Sequence, residues 1–547
     1  MRRRELLEGT LAAAGLYTAR KLVRPLDALA ARTPQTGGQV VVGLSQEPTV
    51  FNPFRAHIEV DRGVHMCLFD ALWKTTEGGD FAPNLATEIP TVGNGGISQD
   101  GLSYTVHLKR GITWHDGAPF TSRDVIFAWK LVMNPNFAAF SRTGYDQIET
   151  MTAPDAYTVK FRLKTPYAPL FALLSDTYFV PAHIYSQFRD LNHNSFDEHP
   201  IGTGPFRWGQ RAPGDHISLS ANKVYHGPGP YLDAVVFKYV PDLTVMFEQF
   251  KAGAIDVTGI QGITVDHYAE AKQLPNVTLY AKPSNFVEDI WFNFGVPQLK
   301  DLAVRQALYY AMDKDSIIKQ IYYGVMRPAE SYLGPSYWAF DPHLATHRYD
   351  PARANAILNE AGWAPGQGGI RTKNGVRLSF MNSTTAGNHV REQTQAFLQQ
   401  NWQQIGVDLQ IKDFPPAVMW GDFFRMSHFH TAMAGSNFVG EAGGDPNIMS
   451  FFDSKYIPVK THSGYNSAQY VNPELDKLLE EGVVTIDRAK RKQIYMRVQQ
   501  ILRDQLVMLP IFYYVFIEGT KAALQGYAQN TNVLSNMWNV NTWWWER

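Results

Sequence analysis

The chain has 547 residues, 45% apolar and 18% charged, with a net charge of −1 and a mean hydropathy of −0.25. That length is too great for one small core, so two or three domains are expected. The balanced charge, without a basic patch, excludes a nucleic-acid surface, and the single Cys67 excludes an internal disulfide framework and argues against a thiol–metal site.

At the N-terminus, Arg2-Arg3-Arg4 precedes Leu6-Leu7 and an uncharged stretch from Gly9 to Ala19. Paired Arg3 and Arg4 before a hydrophobic doublet resemble a twin-arginine export signal. The stretch is shorter than the roughly 20 apolar residues that span a bilayer, and Ala28-Leu29-Ala30 offers small residues for cleavage. Arg20, Lys21 and Arg24 interrupt it, so an amphipathic N-terminal helix is the alternative.

Beyond a polar linker, Gln39-Val40-Val41-Val42-Gly43-Leu44 reads as a buried strand. Helical periodicity follows from Val60 to Trp73, and Cys67 within it is read as a small buried hydrophobe. Ser103 to Leu108 alternates like a half-buried strand. Thr121 with Asp124 three residues on forms a capping box for a helix running to Asn134-Pro135. Tyr157–Leu163 is a second alternating strand, Ala168–Leu174 a helix, and Gly202-Thr203-Gly204-Pro205 a turn before another strand. Further on come strands at Ala234–Val240, Ile255–Val257, Ile290–Phe294, Val376–Met381 and Val407–Ile411. Helices alternate with them at Leu243–Gly253, Lys300–Tyr323, Pro351–Ala361 and Asn388–Ile405. Such alternation predicts α/β layers with mixed sheets.

The stretch from Phe429 to Leu478 differs in kind. A short apolar strand gives way to Gly-rich backbone carrying Glu441 and Asp445, flanked by Phe438, Phe451 and Phe452, and ends in the turn Tyr470-Val471-Asn472-Pro473 that starts a helix. A carboxylate on irregular backbone among aromatic rings suits a pocket for a small cationic or amide-rich ligand. No Gly-x-Ser-x-Gly elbow, His-Glu-x-x-His helix or Gly-x-x-x-x-Gly-Lys phosphate loop is present, so a secreted hydrolase is a minor alternative and a non-enzymatic role is expected.

Six fragments, in order, resemble the large peptide/nickel-type extracellular solute-binding proteins of ABC importers: Asp100–Trp129, Gly202–Phe206, Asn222–Asp242, Phe292–Ile317, Gly464–Leu479 and the helix Asp487–Leu506. The resemblance implies an α/β, periplasmic-binding-protein-like fold: two lobes of mixed sheets and helices joined by a hinge, with an extra inserted domain. The division it implies is an export signal and linker over 1–36, domain I over 37–73, 200–289 and 506–547, an inserted domain II over 74–199, and domain III over 290–505. It also implies a periplasmic monomer without cofactor or resident metal, which delivers a peptide or peptide-like ligand to a membrane permease. A sugar-like, opine-like or nickel-chelate solute, or a sensing role, is the alternative on the same fold.

In peptide-binding members an aspartate of this region pairs with the ligand's α-ammonium group, and Asp445 is the matching position. The alternative for Asp445 is turn initiation before Asn447, with Glu441 the nearest substitute as anchor. Met433 stands where some members carry an arginine for the ligand carboxylate, so an apolar or modified ligand is favoured. Ser436 and Asn437 are candidates for hydrogen bonds to ligand amides or plain turn formers, and Phe438 a candidate apolar contact. His57 and Glu59 follow the first strand, where the class lines its cleft. His428 and His430 could present two imidazoles on one strand face, although an exposed strand is the simpler reading, and Trp543-Trp544-Trp545 is read as packing.

Overall fold

The computed structural model describes residues 33–547, apart from positions 56, 260–261, 347, 416–417, 442–443 and 462–463. Arg3 and Arg4 lie outside the described residues.

One mixed sheet of eleven strands runs through both lobes. In one lobe Gln39–Leu44 pairs in parallel with Ala234–Tyr239 and Val257–Thr258, and the hairpin Phe206–Ala212 with His216–Ala221 extends the edge. Val40 and Val42 are fully buried, as expected of a parallel strand read from an unbroken apolar run. In the other lobe Ser379–Ser383 lies between Asp408–Ile411 and Thr431–Ser436, parallel to both. Two long antiparallel strands, Val277–Phe292 and Met508–Lys521, connect the halves and pair from Val277↔Lys521 to Trp291↔Met508.

The inserted segment packs its sheet (Ser103–His107, Ile148–Asp155, Thr158–Leu163) into the same core as the first strand and the helix Glu59–Leu68. The Gly202-Thr203-Gly204 turn explains how closely these parts approach. A Cβ at Gly202 or Gly204 would meet the Leu68 carbonyl group at 1.8 and 2.5 Å, so only glycine admits the Gly204 N–H to Leu68 at 2.9 Å. A second core gathers Val240–Ile263 with the helices after Leu299, and a third surrounds Trp291, Phe438 and Tyr495.

The Thr121/Asp124 capping box and its helix Ser122–Met133 form as read, and Cys67 is buried and unpaired. Trp543 and Trp544 are buried. Several elements differ from expectation. The helix expected from Val60 to Trp73 ends at Leu68, and Trp73 opens the strand Trp73–Thr75. The strand expected at Val376–Met381 divides into Val376–Arg377 and Ser379–Ser383, which belong to different sheets. The expected helix Lys300–Tyr323 is three helices, Pro297–Lys300, Leu302–Tyr310 and Lys314–Gln320, because Asp301 and Asp313 each cap a new start through Ala303 N–H and Ser316 N–H. The strand expected at Ile290–Phe294 begins instead at Val277. Its first half is too mixed in polarity to show period-two alternation.

Candidate functional site

A cleft with about 120 Å³ of space open to water lies between the lobes. The helix Glu59–Leu68 supplies Glu59 and Met66, with Phe69 just beyond; the inserted segment adds Lys74, Asp176 and Tyr178; the opposite wall is Ser284–Phe286, Asn437 and Val439. The C-terminal region closes it with Phe516, Glu518, Asn530–Leu534 and Trp538.

The first wall is fixed by Asp61, fully buried. Its carboxylate accepts from Thr49, Val50 and Ile58 N–H at 2.7, 3.0 and 2.8 Å, which ties the preceding loop to the helix start and sets Glu59. Arg62 reaches from the same helix to pair with Asp176 and lies 5.3 Å over the Tyr178 ring. Behind them Asp70 accepts from Asn84, Thr203, Tyr225 and His226. Burial alone would raise its pKa, but the His226 hydrogen bond and the Lys74 charge hold it below the usual range.

The C-terminal segment is laced to the other walls by amides. Asn530 donates to the Thr75 carbonyl at 3.1 Å, Asn532 to that of Glu77 at 2.8 Å, and Asn285 to that of Thr531 at 3.3 Å. Glu518 lies in this wall, 3% exposed, with the Tyr527 hydroxyl donating to it. Burial pushes its carboxyl up to about 7. Glu59 meets water inside the cleft yet is hemmed in by protein. That desolvation, with the Glu518 charge, pushes it up to about 7 as well.

Of the described residues singled out from the sequence, Glu59 and Asn437 line the cleft, whereas Asp445, Met433, Ser436, Phe438 and His57 are not among its lining residues; the Glu441 side chain lies outside the described residues. Asp445 is 3% exposed and held bidentately by Arg491 of the helix Arg488–Gln505, at 2.6 and 2.5 Å. It also accepts from Asn447 N–H at 3.0 Å, the turn-initiating bond. Met433 is fully buried in the second core, so no arginine substitute faces ligand there. Phe438 is 1% exposed and packs on Trp291, Tyr332, Phe451 and Phe452. Ser436 accepts from the Trp291 indole at 3.3 Å. His57 donates to the Arg55 carbonyl at 2.7 Å and packs edge-on against His65, and burial lowers it to about 4. His430 accepts from Met381 N–H at 3.2 Å. No group of three or more His, Cys, Asp or Glu among the described residues could hold a metal ion.

The sequence reading missed Phe286, Phe516 and Glu518. A signal existed for Glu518: it is the single acid in the apolar strand MLPIFYYVFIEGTK.

This two-lobed architecture with an interlobe cleft defines a solute-binding protein. Residues 80–457 match the sequence profile of the bacterial extracellular solute-binding proteins, family 5 middle region, and the chain belongs to that family. It is similar to the oligopeptide-binding protein AppA of Bacillus subtilis, 28% identical over 93% of this chain and 92% of that protein. It is also similar to the dipeptide-binding protein of Escherichia coli, 28% identical over 79% and 82% of the two chains. The structure of Bacillus subtilis AppA with a nonapeptide superposes with a TM-score of 0.74 at 26% identity, covering 94% of this chain and all of that one. NikZ of Campylobacter jejuni with Ni(L-His) superposes with a TM-score of 0.74 at 25% identity, over 92% and 99%. No helix of the described residues is long and apolar enough to cross a membrane.

Proposed function

We propose that this chain is the periplasmic receptor of an ABC importer: it captures a peptide or peptide-like solute between its lobes and delivers it to the membrane permease. The observation that carries this is the cleft itself. Aromatic rings (Phe69, Phe286, Phe516, Trp538) cover apolar groups, and amide side chains such as Asn285 and Asn437 edge them, the mixture that recognises a peptide backbone. Similarity to peptide-binding relatives supports the same reading. The protein acts as a monomer without turnover, closing on its solute and opening at the permease, and Arg3-Arg4 directs its export by the twin-arginine route.

Within this reading Glu59 and Asn437 touch the solute. Ser436, Phe438, Met433 and His57 shape the wall from behind, and Asp445, neutralised by Arg491, holds the loop that carries Gly444. Calorimetry of the purified protein against a defined peptide mixture tests the reading. Saturable binding is expected for the wild type, and its absence for every peptide contradicts it.

A further inference from the structure

The charges that line the cleft do not balance. Lys74 is the only basic side chain there among the described residues, and it is occupied: its ammonium lies 3.6 Å from Asp70 and donates to the Tyr225 hydroxyl. Asp176 is matched by Arg62. Lys282, whose charge reaches Glu518, is paired with Glu77 at 2.8 Å. Glu59 and Glu518 remain without a cationic partner among the described residues. Glu518 keeps only the neutral Tyr527 and Gln529 as close donors, and Glu59 makes no hydrogen bond to a described side chain.

Glu59 also lines a second chamber of about 90 Å³, together with Gly43–Gln46. Leu534 is shared by both chambers, so Glu59 stands at their junction. Aromatic residues line the first chamber, Phe286 and Trp538 among them, and a cation is attracted to an aromatic face.

Resting on the solute-binding reading above, we propose that the solute is a cation, and that Glu59 and Glu518, which both line the first chamber, together receive its ammonium or guanidinium group there. Glu518 is a buried carboxylate with only neutral donors, a costly place for a charge, and a cationic group delivered by the solute relieves that cost on closure. Among the described residues no unpaired basic side chain lines the chamber to face a solute carboxylate, so the specificity is for the positive end.

The test uses the purified chain, with wild type, Glu59→Gln and Glu518→Gln compared. A random tetrapeptide library and its N-acetylated counterpart are offered, and the retained peptides are sequenced by mass spectrometry. Enrichment of Lys or Arg in both libraries, weakened about tenfold in either variant, supports the proposal with a side-chain cation. Retention from the free-amine library alone, weakened likewise, supports it with the α-ammonium as source. Retention without preference for either cation, or unchanged in both variants, overturns it while sparing the peptide reading. If neither library is retained, the peptide reading fails. Thermal shift with spermidine and arginine amide then decides the subsite: a wild-type shift lost in the variants upholds it, and no shift overturns it too.

Discussion

At the residue scale, Asp445 and Arg491 form a closed unit. The guanidinium donates to both carboxylate oxygens and to the Gly482 carbonyl at 2.7 Å, and it lies 5.2 Å over the Tyr495 ring. Removing one partner leaves a buried charge, so Arg491→Met is expected to cost about 3–5 kcal/mol in urea unfolding, and the double variant with Asp445→Asn about half as much. Equal losses for the two would show that the pair is not the source. The sequence left Asp445 open between anchor and turn because its partner lies 46 residues on, and no local pattern pairs a loop acid with an arginine on a later helix. Glu518 contributes to the pH dependence, in the same window as Glu59. An acid raised from 4.5 to about 7 keeps its proton in the folded chain while the unfolded chain has lost it. The solute-free protein therefore loses stability as pH rises through that window and does not regain it above. Glu518→Gln is expected to stabilise the empty protein by on the order of 1–2 kcal/mol at pH 8 and by almost nothing at pH 4, read from melting curves at both pH values. A gain independent of pH would assign the effect to packing.

At the scale of elements, the hairpin of Trp73–Thr75 and Phe81–Pro83 reaches across the cleft. Glu77 takes Lys282, Asp80 pairs with Arg488, and the Gly79 carbonyl accepts from the same arginine at 3.1 Å. Exposed ion pairs contribute up to about 1 kcal/mol each, enough to bias two lobe arrangements without locking either. Arg488→Ala combined with Lys282→Ala is expected to speed solute release several-fold with little change in melting temperature, measured by stopped-flow fluorescence. An unchanged release rate would remove the hairpin from closure. Most elements were legible because their signals are local: the capping box at Thr121, the Asn472-Pro473 start whose side chain accepts from Glu474 and Leu475 N–H, and the Asp487 cap. The strand Met508–Lys521 was not read at all. It is buried almost throughout, so alternation is missing, and its partner lies more than 200 residues earlier. The break at Ala311–Asp313 was hidden because the apolar stripe runs on through it.

At the scale of the molecule, the two long strands let one sheet serve both lobes, and their pairing shifts register between Pro283 and Val287, where Ser284–Phe286 face the cleft. The cleft is thus made from segments far apart in sequence: one helix near the N-terminus, the insert, Ser284–Phe286, the Asn437 loop and the C-terminal region. The family was readable from six ordered fragments, each a local motif. The composition of the cleft was not, because it exists only once these five segments meet. The measurement that bears most directly on the account is native mass spectrometry of the protein incubated with a peptide mixture and desalted under non-denaturing conditions. The account predicts a one-to-one adduct of peptide mass that disappears on unfolding. The mass of the bare chain at every peptide concentration would contradict it.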